Sequence, residues 1–164
     1  MQMQLLIHDL PENPFPDPDN DFEIIRAEIR TAPCQGCFQC WTKNAGYCIY
    51  ADCLQHSGAA IGNSERIVVV SKLCYGGYSA PVKRFFDRGI SESLPFLTWR
   101  NRKTYHMSRY GGRRKLAVYF YGCCDGFERE TAREYVERQA VNLDMDSHEV
   151  VFVKCAEDLG GYRL

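Results

Sequence analysis

The feature that most narrows the fold is a run of four β-branched residues, Ile67-Val68-Val69-Val70, unbroken by any polar residue. A strand wetted on one face alternates apolar and polar side chains, so an unbroken run belongs to a strand covered on both faces, as in a parallel sheet. Leu116-Ala117-Val118-Tyr119-Phe120-Tyr121 and Val150-Val151-Phe152-Val153 have the same character. Helical patterns separate these runs. Ser79-Ala80-Pro81 starts one helix, with Ser79 as N-cap and proline in the first turn. Val82, Phe85, Phe86 and Ile90 then share one stripe. A second helix over residues 129–143 turns Ala132, Tyr135, Val136, Ala140 and Leu143 inward. A shorter one over residues 54–61 reaches the first run through Gly62-Asn63-Ser64. With strands at residues 4–8 and 22–30, the order is β, β, α, β, α, β, α, β. Right-handed crossovers turn that order into a doubly wound parallel sheet. Ligands of such sheets lie beyond the carboxyl ends of the strands, which singles out the loops 9–21, 72–78 and 122–127. Residues 94–114 form a long basic excursion without clear periodicity.

The 164 residues suit one domain. Twenty bases against 21 acids leave a net charge of −1, which argues against a nucleic-acid binder. No apolar run approaches the roughly 20 residues that cross a bilayer, so no membrane association is expected. Met1–His8 has neither a basic start nor a long apolar stretch, so the expected setting is cytoplasmic and reducing. Disulfide staples are therefore not expected among the nine cysteines.

Four cysteines crowd together as Cys34-x2-Cys37-x2-Cys40-x7-Cys48. Three sulfurs at three-residue intervals can turn toward one centre, and the fourth can close a four-thiolate shell of the kind that holds an iron–sulfur cluster. Zinc fits less naturally, since zinc ribbons separate their cysteine pairs by a longer span. Free cysteine is also among the most buried residue types, so packing and thiol redox chemistry remain open readings.

The stretch Cys34-Gln35-Gly36-Cys37-Phe38-Gln39-Cys40-Trp41, followed by Gly46, Cys48 and Asp52, resembles a segment of the flavodoxin-like NAD(P)H-dependent FMN reductases and their iron–sulfur flavoprotein cousins. Ser71-Lys72-Leu73-Cys74-Tyr75-Gly76-Gly77-Tyr78-Ser79, with the later Lys83, Asp87 and Arg88, resembles that family's third-strand loop and helix. The likeness is good over residues 23–90 and follows element order elsewhere. It implies a flavodoxin-like α/β domain over residues 1–164, with a five-stranded parallel sheet in the order 2-1-3-4-5. It implies FMN and NAD(P)H as cofactors, a 4Fe-4S cluster on Cys34, Cys37, Cys40 and Cys48, and electron transfer as the activity. The flavin ring would meet Leu73, Cys74, Tyr75, Gly76 and Gly77 on one loop and Tyr121, Gly122 and Cys123 on the next. Glycines let the backbone approach a flat ring, and Tyr75 offers a stacking face. No side chain stands out as a catalytic acid or base. Lys83, Asp87 and Arg88 read as packing and salt-bridge residues.

The chain departs from the family where phosphate should bind. Family members hold it in a Ser/Thr-rich loop after the first strand, at a helix N-terminus. Here residues 9–21 contain five acids, four prolines and no Ser, Thr, Gly, Lys or Arg. Helix 1 is expected to be replaced by this proline-rich crossover. One sheet face would then lose its cover and call for a homodimer, a higher oligomer or a flavoprotein partner chain. Residues 1–30 carry a net −5 and residues 83–115 a net +8. The basic stretch, with Arg100, Arg102, Lys103, His106, Arg109, Arg113, Arg114 and Lys115, could supply the missing positive charge. Trp99, Tyr105 and Tyr110 could stack on a ring. The rival reading is a non-enzymatic, degenerate subunit that stabilises a flavoprotein partner. A cysteine-based redox or metal sensor is a third.

Overall fold

The computed structural model describes residues 3–13, 15, 22–100 and 102–162. Five parallel strands form the main sheet: β1 (Gln4–His8), β2 (Phe22–Arg26), β3 (Arg66–Lys72), β6 (Lys115–Tyr121) and β7 (Ser147–Val153). Their spatial order is β2-β1-β3-β6-β7, the 2-1-3-4-5 winding expected from the sequence. The three apolar runs occupy β3, β6 and β7 in register: Val69 lies beside Ile7 and Val118, and Val118 beside Val150.

Helices α1 (Ser57–Asn63), α2 (Ala80–Arg88) and α3 (Gly126–Asn142) bury their apolar stripes in one core. Ala60 and Ile61, Val82 and Phe85, and Ala132, Val136 and Ala140 meet Leu5, Ile7, Ile67, Val69, Leu116 and Val118 there. α2 starts where the sequence places it, with Ser79 as N-cap and proline in its first turn. α3 starts three residues early, because the Asp125 side chain caps the Glu128 N–H.

The opposite face is covered without an α-helix among the described residues. The crossover between β1 and β2 brings Phe15 edge-on to Tyr119, 5.8 Å between ring centres. A 3-10 turn at Ala156–Gly161 adds Leu159, and Tyr162 packs 5.4 Å from Tyr119. Leu6, Val68, Val70, Ala117 and Tyr119 are consequently buried within one chain. This corrects the expectation of a wholly bare apolar face: Phe15, Leu159 and Tyr162 cover it along β1, β3 and β6, while Ile24 on β2 stays 42% exposed. Pro14, Pro16, Pro18 and the acids 17, 19 and 21 of the crossover lie outside the described residues.

The basic excursion is an ordered antiparallel hairpin, β4 (Ser93–Arg100) and β5 (Lys103–Ser108), with a register shift between Ser93 and Leu97. Its base rests on a buried ion pair, Arg114 to Glu92 at 2.7 Å. Ser108 donates its hydroxyl to the same carboxylate.

Candidate functional site

Three segments meet where β1, β3 and β6 end. The Leu73 N–H donates to the Tyr121 carbonyl at 3.0 Å and joins the two loops that the sequence pairs. Leu73 itself turns into the core as a packing residue. Cys74 and Gly77 exchange two backbone hydrogen bonds of 3.0 Å each and close Tyr75-Gly76 into a tight turn. Both central residues lie in the left-handed region, Tyr75 at φ 53° and Gly76 at φ 76°. Such a turn usually carries Asn-Gly, since a bulky side chain there costs about 1–3 kcal/mol. Gly76 is required twice over, because a Cβ would stand 2.6 Å from Thr131 Cγ2. Tyr75 is 96% exposed, a strained aromatic held out in solvent at the end of the sheet. On the neighbouring loop Tyr121 is half-buried, Gly122 has φ 112°, and Cys123 is exposed.

Between β1 and β3, where the winding reverses, Asp9 follows directly on β1. Its Oδ2 accepts the Lys72 N–H at 3.0 Å and its Oδ1 accepts the Tyr121 hydroxyl at 3.1 Å. Burial, and then the neighbouring Asp9 charge, push the Tyr121 phenol well up, so it stays protonated and donating. A crevice of about 610 Å³ opens beside Asp9, bounded by residues 9–11, 26–30 and Pro81. That volume suits a small-molecule site. In residues 9–21 the missing phosphate-binding residues are plain from the sequence, whereas the role of Asp9 is not. The signal was an acid in the first position after the first strand.

The cysteine segment descends along α2. Arg84 donates to the Ile29 and Thr31 carbonyls. Arg88, wholly buried, is the clasp. It donates to Asp52 at 2.5 Å, to the Ala32 carbonyl at 3.3 Å and to the Tyr50 carbonyl at 3.0 Å. Asp52 in turn accepts from the Ala32 and Leu54 N–H groups. Burial alone would raise the Asp52 carboxyl, but these hydrogen bonds, that from Arg88 foremost, hold it below its ordinary value. Both ends of the run from Cys34 to Cys48 are thereby tied together. Trp41 fastens its middle by donating to the Ile90 carbonyl at 3.1 Å.

Cys34, Cys37, Cys40 and Cys48 line one small cavity of about 30 Å³ with Arg88 and Tyr50. Burial, followed by the nearby Cys48, pushes the Cys40 thiol up. The spacing thus brings all four residues to one place. Yet no group of three or more His, Cys, Asp or Glu among the described residues is arranged to hold a metal ion. A zinc shell needs four sulfurs about 2.3 Å from one ion, and that geometry is not formed. For a cluster the donors are right, but as placed they are not gathered around one centre. The residues as placed do not fit either group.

The basic stretch does not serve the strand ends of its own chain. Lys115 begins β6, about 20 Å of strand away from Tyr121. Arg114 is buried on Glu92, Arg100 pairs with Asp144 and lies 4.8 Å over the Tyr105 ring, and Arg109 donates to the Ser91 carbonyl. Tyr110 packs against Gly62 and Tyr105 is half-buried, which leaves Trp99 as the exposed one of the three rings. Lys83 and Asp87 form the surface pair expected of them.

No protein-family model and no curated protein matches the chain. Solved structures do. An azoreductase from Bacillus anthracis str. Sterne is 9% identical with a TM-score of 0.60, over 96% of this chain and 89% of that one. An FMN-dependent NADH-azoreductase from Bacillus anthracis str. Ames Ancestor, solved in complex with FMN, is 11% identical at 0.57 over the same shares. An NAD(P)H:quinone oxidoreductase from Methanothermobacter marburgensis is 10% identical at 0.54, over 94% of this chain and 87% of that one. At such identities the likeness establishes the flavodoxin-like fold over nearly the whole chain. No helix among the described residues is long and apolar enough to cross a membrane.

Proposed function

We propose that this chain is an electron-transfer protein of the flavin-linked oxidoreductase kind, presenting a flat redox ring at the ends of β1, β3 and β6, with NAD(P)H as the electron donor. The observation that carries this reading is Tyr75, strained and 96% exposed on a doubly hydrogen-bonded turn at the strand ends. Backbone strain of this kind clusters at ligand-binding and switch sites. The neighbours' descriptions, FMN-dependent and NAD(P)H-linked, support the same kind of activity.

The residues fit a flavin ring but not the phosphate of FMN. A bound flavin would supply hydride acceptance from a nicotinamide, and the protein would supply orientation and electrostatics. Tyr75 stacks on the ring. Gly76 and Gly122 keep the backbone free of side chains at the ring's edge. Tyr121 and Asp9 lock the two loops together. Nothing is routed through Cys34, Cys37, Cys40 and Cys48, which as placed are not gathered around one centre. The exposed hairpin favours a second reading, a non-enzymatic subunit docked on a partner, and we also propose that a second copy of this chain covers it.

The test is an absorbance spectrum and iron assay on protein purified without oxygen, followed by fluorescence titration with flavins. Flavin binding is expected, without stoichiometric iron. Tyr75→Gly is expected to weaken binding about tenfold, in line with the loss of one stacking contact. The same variant should be about 1 kcal/mol more stable, because the left-handed strain is relieved. No flavin binding would retire the enzyme reading in favour of the subunit. Stoichiometric iron would overturn the assignment of the cysteine loop.

A further inference from the structure

We propose that Asp9 makes the strand-end site selective for a phosphate-free flavin, a riboflavin-type ring with a neutral side chain, and turns FMN away. This rests on the flavin reading above and specifies its ligand.

A phosphate dianion needs N–H or O–H donors and a positive potential. At the reversal point of the sheet two donors, one from the end of β3 and one from the end of β6, are spent on a carboxylate. The Lys72 N–H and the Tyr121 hydroxyl each go to Asp9. The chain after Asp9 reads Leu-Pro-Glu-Asn, adding a second acid and a proline without an N–H. No helix begins in residues 10–13, so the free N–H groups of a helix terminus are missing there. The Asn13 side chain takes the Phe15 N–H at 3.2 Å.

The cations around the crevice are already engaged or exposed. Arg26 donates to the Pro11 carbonyl at 3.1 Å and pairs with Glu28 at 3.0 Å. Arg30 and Lys72 are exposed, where their charge is screened by solvent and salt. The first turns of α2 and α3 are poor substitutes. In α2, Pro81 has no N–H and the Ser79 N–H goes to the Ser71 hydroxyl. In α3, Asp125 caps the Glu128 N–H. A dianion would therefore face the Asp9 carboxylate with few donors to repay it, whereas a neutral side chain would face no such repulsion.

Affinities for riboflavin and FMN would be measured side by side by fluorescence quenching, for the full chain and for Asp9→Asn and Glu12→Gln. The full chain is expected to bind riboflavin at least tenfold more tightly than FMN. Asp9→Asn removes the charge while keeping one of the two acceptor oxygens, and should cut the preference for riboflavin over FMN about tenfold. Glu12→Gln should leave the ratio unchanged. In the unmodified chain, added salt should strengthen FMN binding by screening the repulsion and leave riboflavin unaffected. This readout does not depend on any variant folding. FMN bound as tightly as riboflavin would overturn the inference and leave the flavin reading standing. An equal response from Glu12→Gln would also overturn it, by showing a general field in place of Asp9. If neither flavin binds, the flavin reading falls and takes this inference with it.

Discussion

A buried histidine at the end of β1 links the stability of that strand to pH. His8 ends β1 almost wholly buried, and its Nδ1 has no hydrogen-bond partner. Desolvation lowers its pKa below the ordinary 6.5, opposed by the Leu10 backbone and the Asp9 charge and assisted by Arg26. A histidine depressed in the folded state binds fewer protons there than in the unfolded chain. Stability is then complete above about pH 6.5 and falls as the pH drops from there through the folded-state value. Urea midpoints measured between pH 8 and pH 5 should decline below about 6.5 for the natural sequence. The decline should be shallower for His8→Leu, and an identical profile in that variant would refute the assignment. Residue identities such as His8 and Asp9 were plain in the sequence. Their roles were not, because Asp9 acquires its function from Tyr121, 112 positions away. Tyr75 was legible as a stacking candidate; its left-handed backbone was not, since only the closed turn reveals it.

Among the elements, strands and helices whose apolar pattern decides their own burial could be read directly. β3, β6 and β7, and the inward stripes of α2 and α3, fall where periodicity puts them. The hairpin escaped because its pairing is imposed from outside. Phe96 and Leu97 sit side by side without alternation, a register shift interrupts the ladder, and the buried Arg114–Glu92 pair holds the base. The cysteine segment depends on α2 in the same way. Arg88 binds Ala32 just before Cys34, and Tyr50 and Asp52 just after Cys48, so one guanidinium closes the loop. Removing one member of a buried pair typically costs about 3–5 kcal/mol, and partial exposure of Asp52 places this case toward the lower figure. Arg88→Met should therefore lose about 3 kcal/mol in a denaturant melt. It should also let Cys40 and Cys48, half-buried in the clasped loop, react faster with iodoacetamide under native conditions. Unchanged alkylation rates would mean that the loop holds its shape without the clasp.

At the scale of the whole molecule, Phe15, Leu159 and Tyr162 cover much of the sheet face that the described α-helices leave free. An exposed apolar patch lies on the hairpin, where Phe96, Leu97, Trp99 and Met107 are exposed, Trp99 by 71%. A two-stranded hairpin has little stability of its own, and a patch of this kind on a basic arm marks a contact surface. The chain carries a complement to it, since residues 1–30 hold a net −5 and residues 83–115 a net +8. In a two-fold dimer each hairpin could meet its partner's acid-rich quarter, and symmetry would make the contact twice. Light scattering at tens of micromolar and low salt is expected to give twice the 18.9 kDa chain mass. Trp99→Asp should return the monomer by placing a charge in the apolar centre of the contact. Added salt should weaken the dimer as the opposite charges are screened. A monomer at low salt would leave the hairpin to a different protein, as the subunit reading holds. A dimer indifferent to both salt and Trp99→Asp would place the interface elsewhere on the molecule.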